Sequence, residues 1–181
     1  MSSDDRLLAA LRSGADAFEP ATPEPAPAPA FARLARTLAE PAERLAPFAA
    51  RLAALIDVDA ARARACLARI FDPASWVPLM PQIDLVHLEG GPATAGSDVG
   101  FVRIAPGGVF PEHEHLGLER VLILQGRVLD STGGELGPGA HTTLGAGSQH
   151  GLRCVSDEPL VYAVVVGGIR MADGAVIDAD T

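Results

Sequence analysis

The stretch GGVFPEHEHLGLERVLILQG, residues 107–126, decides how the rest of the chain is read. Its chemistry-bearing residues are spaced Gly107-x5-His113-x-His115-x3-Glu119-x6-Gly126. Two histidines at i and i+2 on a strand project to one face, because successive side chains of a strand alternate. Glu119 enters from the next strand, across a turn at Leu116-Gly117-Leu118. Downstream, Gly139-x5-Gly145-x-Gly147-x2-His150 offers a fourth donor just after a glycine-rich turn. Three neutral imidazoles and one carboxylate carry a single negative charge and suit the borderline divalent ions Zn, Fe, Mn, Ni and Co. His113, His115, Glu119 and His150 are therefore the candidate ligands of one divalent metal ion per chain.

On either side of this stretch lie short β-rich runs separated by Gly, Pro and Asp: IDLVHL (83–88), VGFVRIA (99–105), RVLD (127–130), HTTL (141–144) and PLVYAVVV (159–166). Together with ERVLILQG (119–126) they indicate a sandwich or barrel over residues 73–181. With Glu119 facing inward, Val121, Ile123 and Gln125 share its face and become candidate pocket-lining residues, while Leu122 and Leu124 point outward. That outer face is apolar as well, so it needs cover from the N-terminal helices or from a second subunit, and a homodimer is expected. Arg103 and Tyr162 join the pocket candidates: Arg103 as a group that orients an anionic substrate or forms an inter-strand ion pair, Tyr162 as a barrel cap or core filler. His87 and His141 fall outside the ligand spacing and read as strand residues.

Upstream the pattern changes. Residues 1–18 contain a short helical arm, and EPATPEPAPAPA within 19–30 is a linker, since its recurrent prolines favour extended polyproline geometry. Residues 31–72 are helical. Phe31, Leu34, Ala35 and Leu38 form one apolar stripe, and Leu45, Phe48, Leu52 and Leu55 continue it on a second helix after Pro41. Asp57 or Asp59 caps a third that runs to about Phe71, with Arg62, Arg64 and Arg69 solvated.

Composition narrows the function further. The chain has 181 residues, enough for one well-buried domain and an appendage. No apolar run approaches the roughly 20 residues that span a bilayer, and the acidic N-terminus lacks a secretory leader, so no membrane partner and a cytoplasmic location are expected. All 14 basic residues are arginines, which removes Schiff-base and P-loop lysines at once. Net charge is −9, concentrated in residues 73–181, where five arginines face thirteen acids. Such a barrel repels a phosphate backbone, and direct nucleic-acid binding is not expected. Cys66 and Cys154 are far apart, form no CxxC, and read as buried thiols.

The two metal-ligand spacings resemble the two motifs of the cupin superfamily. The first matches at each defining position; in the second, Gly145 stands in place of a proline and Cys154 in place of the final asparagine. The resemblance implies a mainly β fold, a cupin double-stranded β-helix (jelly-roll) barrel, here preceded by a small α-helical N-terminal region. Within the first motif, HxHxGLExxLxLQGxxxD from His113 to Asp130 resembles the cupin domain of ChrR-like anti-sigma factors, over about residues 76–170. That resemblance implies a sensor or regulatory module, with zinc foremost as the metal and a protein partner on the N-terminal helices. The family's His-x3-Cys-x2-Cys zinc element has no counterpart here, because no histidine precedes His87 and Cys66 stands alone upstream. The same ligands on Fe, Mn or Ni would leave open positions for a small-molecule substrate, which implies a dioxygenase- or isomerase-type enzyme instead.

Overall fold

In the computed structural model, which describes residues 41–178, the stripe Leu45-Phe48-Leu52-Leu55 is helical but interrupted. Helix α1 (Pro41–Leu45) ends in a 3-10 turn over Ala46–Phe48, and α2 (Ala49–Ile56) follows. Pro47 is the cause: it sits at the start of the turn and has no N–H to give an α-helical ladder. Asp57 closes α2 in the left-handed conformation, φ 57°, and its carboxylate accepts the Ala93 N–H at 2.8 Å. Asp59 is the residue that caps α3 (Ala60–Arg69), accepting the Arg62 N–H at 2.8 Å. The arm at 1–18, the linker at 19–30 and the helix proposed from Phe31 lie outside the described residues.

Twelve strands follow among the described residues: β1 (Val77–Met80), β2 (Ile83–His87), β3 (Asp98–Ile104), β4 (Val109–His115), β5 (Glu119–Gln125), β6 (Val128–Asp130), β7 (Gly134–Leu136), β8 (His141–Leu144), β9 (Gln149–Cys154), β10 (Leu160–Val166), β11 (Ile169–Met171) and β12 (Val176–Ile177). They form two six-stranded sheets, ordered β1-β2-β3-β10-β5-β8 and β12-β11-β4-β9-β6-β7. The chain alternates between them, so β3, β4, β5 and β6 fall on the first, second, first and second sheet in turn. This is the expected mainly β jelly-roll barrel, preceded by short helices. The runs that sequence reading passed over, β1, β7, β11 and β12, are two to four residues long. Strands that short carry too little alternation to stand out.

Strand alternation sorts the side chains into two cores. On β10, Leu160, Tyr162 and Val164 join the cluster between the sheets, while Val161, Ala163 and Val165 join the cluster on the outer face. On β5, Val121 and Ile123 are inner and Leu122 and Leu124 outer, as expected. The outer cluster is completed by Leu52, Ile56, Ala63 and Leu67, so α2 and α3 of the same chain cover the apolar sheet face. Two arginines of α3 tie it down rather than pointing only to solvent: Arg62 pairs with Glu89 at 2.8 Å and Arg69 donates to the His87 carbonyl at 2.7 Å.

Leu52 is fully buried in that outer cluster, on the far side of β5 and β10 from the barrel interior. Leu52→Ala is expected to lower unfolding free energy by about 2–5 kcal/mol in denaturant titrations. The affinity for a metal ion in the barrel should stay unchanged in the same variant.

Candidate metal centre

Three of the four candidate donors sit on the second sheet. β4 and β9 pair antiparallel with His113 directly opposite His150. His115 lies two residues further along β4, so all three imidazoles share the inner face. Glu119 belongs to the other sheet, where it opens β5 and pairs across to Val166 and Leu144. The crossing is made by Leu116-Gly117-Leu118, and it is tight. A Cβ on Gly117 would lie 2.9 Å from the Gly167 backbone, whose N–H donates to the Leu118 carbonyl. Glycine at 117 lets the two turns touch, and that contact brings Glu119 over the histidines.

The four side chains are buried, with His115 at 0% and His150 at 2% exposure. Their donor atoms all lie within 4.8 Å of one another. His115 Nε2 and His150 Nε2 stand 3.3 and 3.5 Å from Glu119 Oε2. Each imidazole is held by its other nitrogen. His113 Nδ1 is 3.0 Å from the Pro111 carbonyl, so it donates there. Ser148 gives its own proton to Gly145 O and accepts His115 Nδ1–H at 3.0 Å. His150 Nδ1–H donates to Asp130 Oδ2 at 2.8 Å. With the Nδ1 positions protonated, each neutral ring turns an Nε2 lone pair toward the centre.

Such an arrangement is unfavourable by itself. His115 Nε2, His150 Nε2 and Glu119 Oε2 are buried without any hydrogen-bond partner, three acceptors facing one another. Each orphan costs about 1–3 kcal/mol, and no donor among the described residues reaches them. A cation at their meeting point satisfies all of them at once, and three nitrogens with one oxygen is a donor set that borderline divalent ions accept. The electrostatics fit. Burial holds His113 below the ordinary imidazole range and so keeps it neutral, the Pro111 hydrogen bond opposing only in part. Asp130 is held below the usual carboxylate range; burial pushes the other way, but hydrogen bonds from Thr132 and His150 outweigh it.

Beside the centre lies a cavity of about 340 Å³, whose walls include His113, Glu119 and Tyr162. Of the other expected pocket residues, Val121 and Ile123 stay in the packed inner core rather than on the cavity wall. Gln125 is drawn off by a register shift between Val161 and Tyr162, and its amide donates to Pro159 O at 3.1 Å. Arg103 alternates outward between Val102 and Ile104, bonds Asp84 at 2.8 Å and stacks on Trp76. The inter-strand ion pair is thus its role in the fold. Cys66 and Cys154 are free, buried thiols. Asp130 and Ser148, which orient two of the rings, were not singled out from the sequence. Asp130 closes the HxHxGLExxLxLQGxxxD pattern, and that position was the one available signal.

The sequence model of the family described as ChrR Cupin-like domain matches residues 67–170, more than half of the chain. No curated protein matches the chain by sequence. Among solved structures, the complex of Rhodobacter sphaeroides SigE with the anti-sigma ChrR is 21% identical, covers 90% of this chain and 77% of that one, and has a TM-score of 0.50. An acetylacetone dioxygenase from Acinetobacter johnsonii is 17% identical over 60% of this chain and 82% of its own, with a TM-score of 0.50. An RmlC-like cupin from Ralstonia eutropha JMP134 is 18% identical over 57% and 73%, with a TM-score of 0.49. The likenesses to the SigE–ChrR complex and to the dioxygenase show the fold.

Asp130→Asn keeps the size of the side chain but removes the charge that orients and polarises His150. It is expected to weaken divalent-metal affinity by roughly 10- to 100-fold, measured by competition with a chromophoric chelator.

Proposed function

Because the chain belongs to the ChrR cupin-like domain family, we propose that its barrel holds one divalent metal ion on His113, His115, Glu119 and His150 and serves as a metal-dependent sensor or regulatory module. The observation that carries the metal is the set of buried donor atoms left without partners and aimed at one point. Zinc is the ion we favour, since a redox-inert metal with four protein ligands makes a closed, switch-like centre. Bound there, it would supply a fixed positive charge that joins the two sheets. The protein's own part is to hold each ring in one tautomer, through Pro111, Ser148 and Asp130, and to keep Glu119 over the rings.

The regulatory sense is supported by the family and by the SigE–ChrR neighbour, in which the likeness extends over most of this chain. A protein partner engaged by the N-terminal helices and a cytoplasmic location belong to the same proposal. Among the described residues no helix is long and apolar enough to cross a membrane. Homodimerisation belongs to the proposal as well, through a surface other than the apolar sheet face, which α2 and α3 already cover. Sedimentation of the full chain decides it.

One observation favours a second reading. The cavity beside His113 and Glu119 admits a small molecule, and iron, manganese or nickel on the same ligands would leave coordination positions free for it. The chain would then be an enzyme of dioxygenase or isomerase type, a sense supported by the dioxygenase neighbour.

Metal analysis of the full chain purified without chelator separates the two, combined with oxygen uptake in the presence of small diketones and catechols. Zinc at about one ion per chain without turnover is the expected result, whereas iron with oxygen consumption would sink the regulatory reading. His150→Ala should lose metal and lower the thermal midpoint together, because metal bound to the native state is linked to folding. Full metal retention in that variant would show that the ligand set is wrong.

A further inference from the structure

Tyr162 is the only tyrosine in the chain, and strand alternation carries it inward from the middle of β10. Its companions on that face, Leu160 and Val164, are apolar, and a phenylalanine ring would fill the same space. The hydroxyl is therefore not needed for packing. The side chain is 3% exposed and lines the cavity beside the metal centre, no side-chain hydrogen bond engages its hydroxyl among the described residues, and the oxygen is not one of the polar atoms sealed in the core, so it opens on the cavity. A hydroxyl that the protein leaves without a partner and that faces a cavity is satisfied by what fills that cavity.

The rest of the cavity says what that is. Its walls include Val102, Phe110, Val164 and Ile169, and its polar side chains include His113 and Glu119 of the proposed centre. At about 340 Å³ it has more than twice the space of the roughly 150 Å³ apolar cavity that accepts benzene. Its walls include the acids Asp98 and Asp178 but no arginine, and the chain has no lysine, so apart from the proposed metal a phosphate or multiply anionic ligand would find no countercharge.

We propose that Tyr162 is the hydrogen-bond donor to an oxygen acceptor on a small, largely apolar ligand that lies in this cavity against the metal. The ligand class is a neutral or singly charged molecule with metal-binding oxygens at one end and an alkyl or aryl body of several carbons. This rests on the metal site above in its second reading, with coordination positions left free for a small molecule. A phenol is protonated at neutral pH and so donates its O–H in a hydrogen bond; burial pushes the Tyr162 ionisation further above the ordinary phenol range.

The test uses the full chain loaded with Co(II), whose visible spectrum reports ligand exchange, and two probes, acetohydroxamate and hexanohydroxamate. The longer probe should bind at least about tenfold more tightly, because its four extra methylenes enter the apolar cavity. Tyr162→Phe should keep the Co(II) spectrum and the thermal midpoint, yet weaken both probes by roughly tenfold. Val164→Phe should abolish the advantage of the longer tail. If Tyr162→Phe bound both probes as tightly as the parent, or lowered the midpoint by several degrees, the hydroxyl would not be a ligand donor. Equal affinity for the two probes would overturn the apolar ligand class. A parent chain that took up no Co(II) would instead overturn the metal reading, and this inference with it.

Discussion

Three imidazoles and a carboxylate converge in a buried space where, among the described residues, no donor answers His115 Nε2, His150 Nε2 or Glu119 Oε2, and the barrel is arranged around that demand. The acceptors repel one another unless a cation lies among them, so the geometry that brings them together has to be imposed by the surrounding chain. Antiparallel register sets His113 against His150, and β4 alternation adds His115. The glycine contact between residues 117 and 167 folds Glu119 over from the opposite sheet. Around them, Pro111, Ser148 and Asp130 each take one Nδ1 proton, so that rotation of a ring would break a hydrogen bond as well as move a donor.

The same strands serve two cores. Odd and even positions of β5 and β10 divide between the barrel interior and a layer under α2 and α3, and almost every position on these strands is buried. A sheet apolar on both faces is stable only if both are covered. The helices therefore do structural work on the outer face, which leaves the inner face free to be imperfectly filled. Incomplete packing inside gives a cavity beside the centre, rather than a collapsed interior.

Legibility in the sequence followed the range of each interaction. The donor residues were readable because their spacing along two short stretches repeats the period of a strand, a local property. The inner and outer assignment of Val121 to Leu124 was readable for the same reason. Gln125 and Arg103 were not placed correctly against the cavity. A register shift between Val161 and Tyr162 displaces the first, and a cross-strand carboxylate, Asp84, holds the second outward. Asp130 and Ser148 lie 20 and 33 residues from the rings they orient, so although Asp130 closes the motif, the ring that each one holds is set by strand pairing and not by spacing.

What the sequence by itself determined is the family, the jelly-roll class and which four side chains share one centre, because motif spacing and alternation are carried by neighbours along the chain. Only the tertiary structure decided that the helices cover the outer face, that Asp130 and Ser148 orient the rings, and that Tyr162 borders an apolar cavity with its hydroxyl open to it. Those depend on strands distant in sequence meeting at a particular register, which no local pattern encodes.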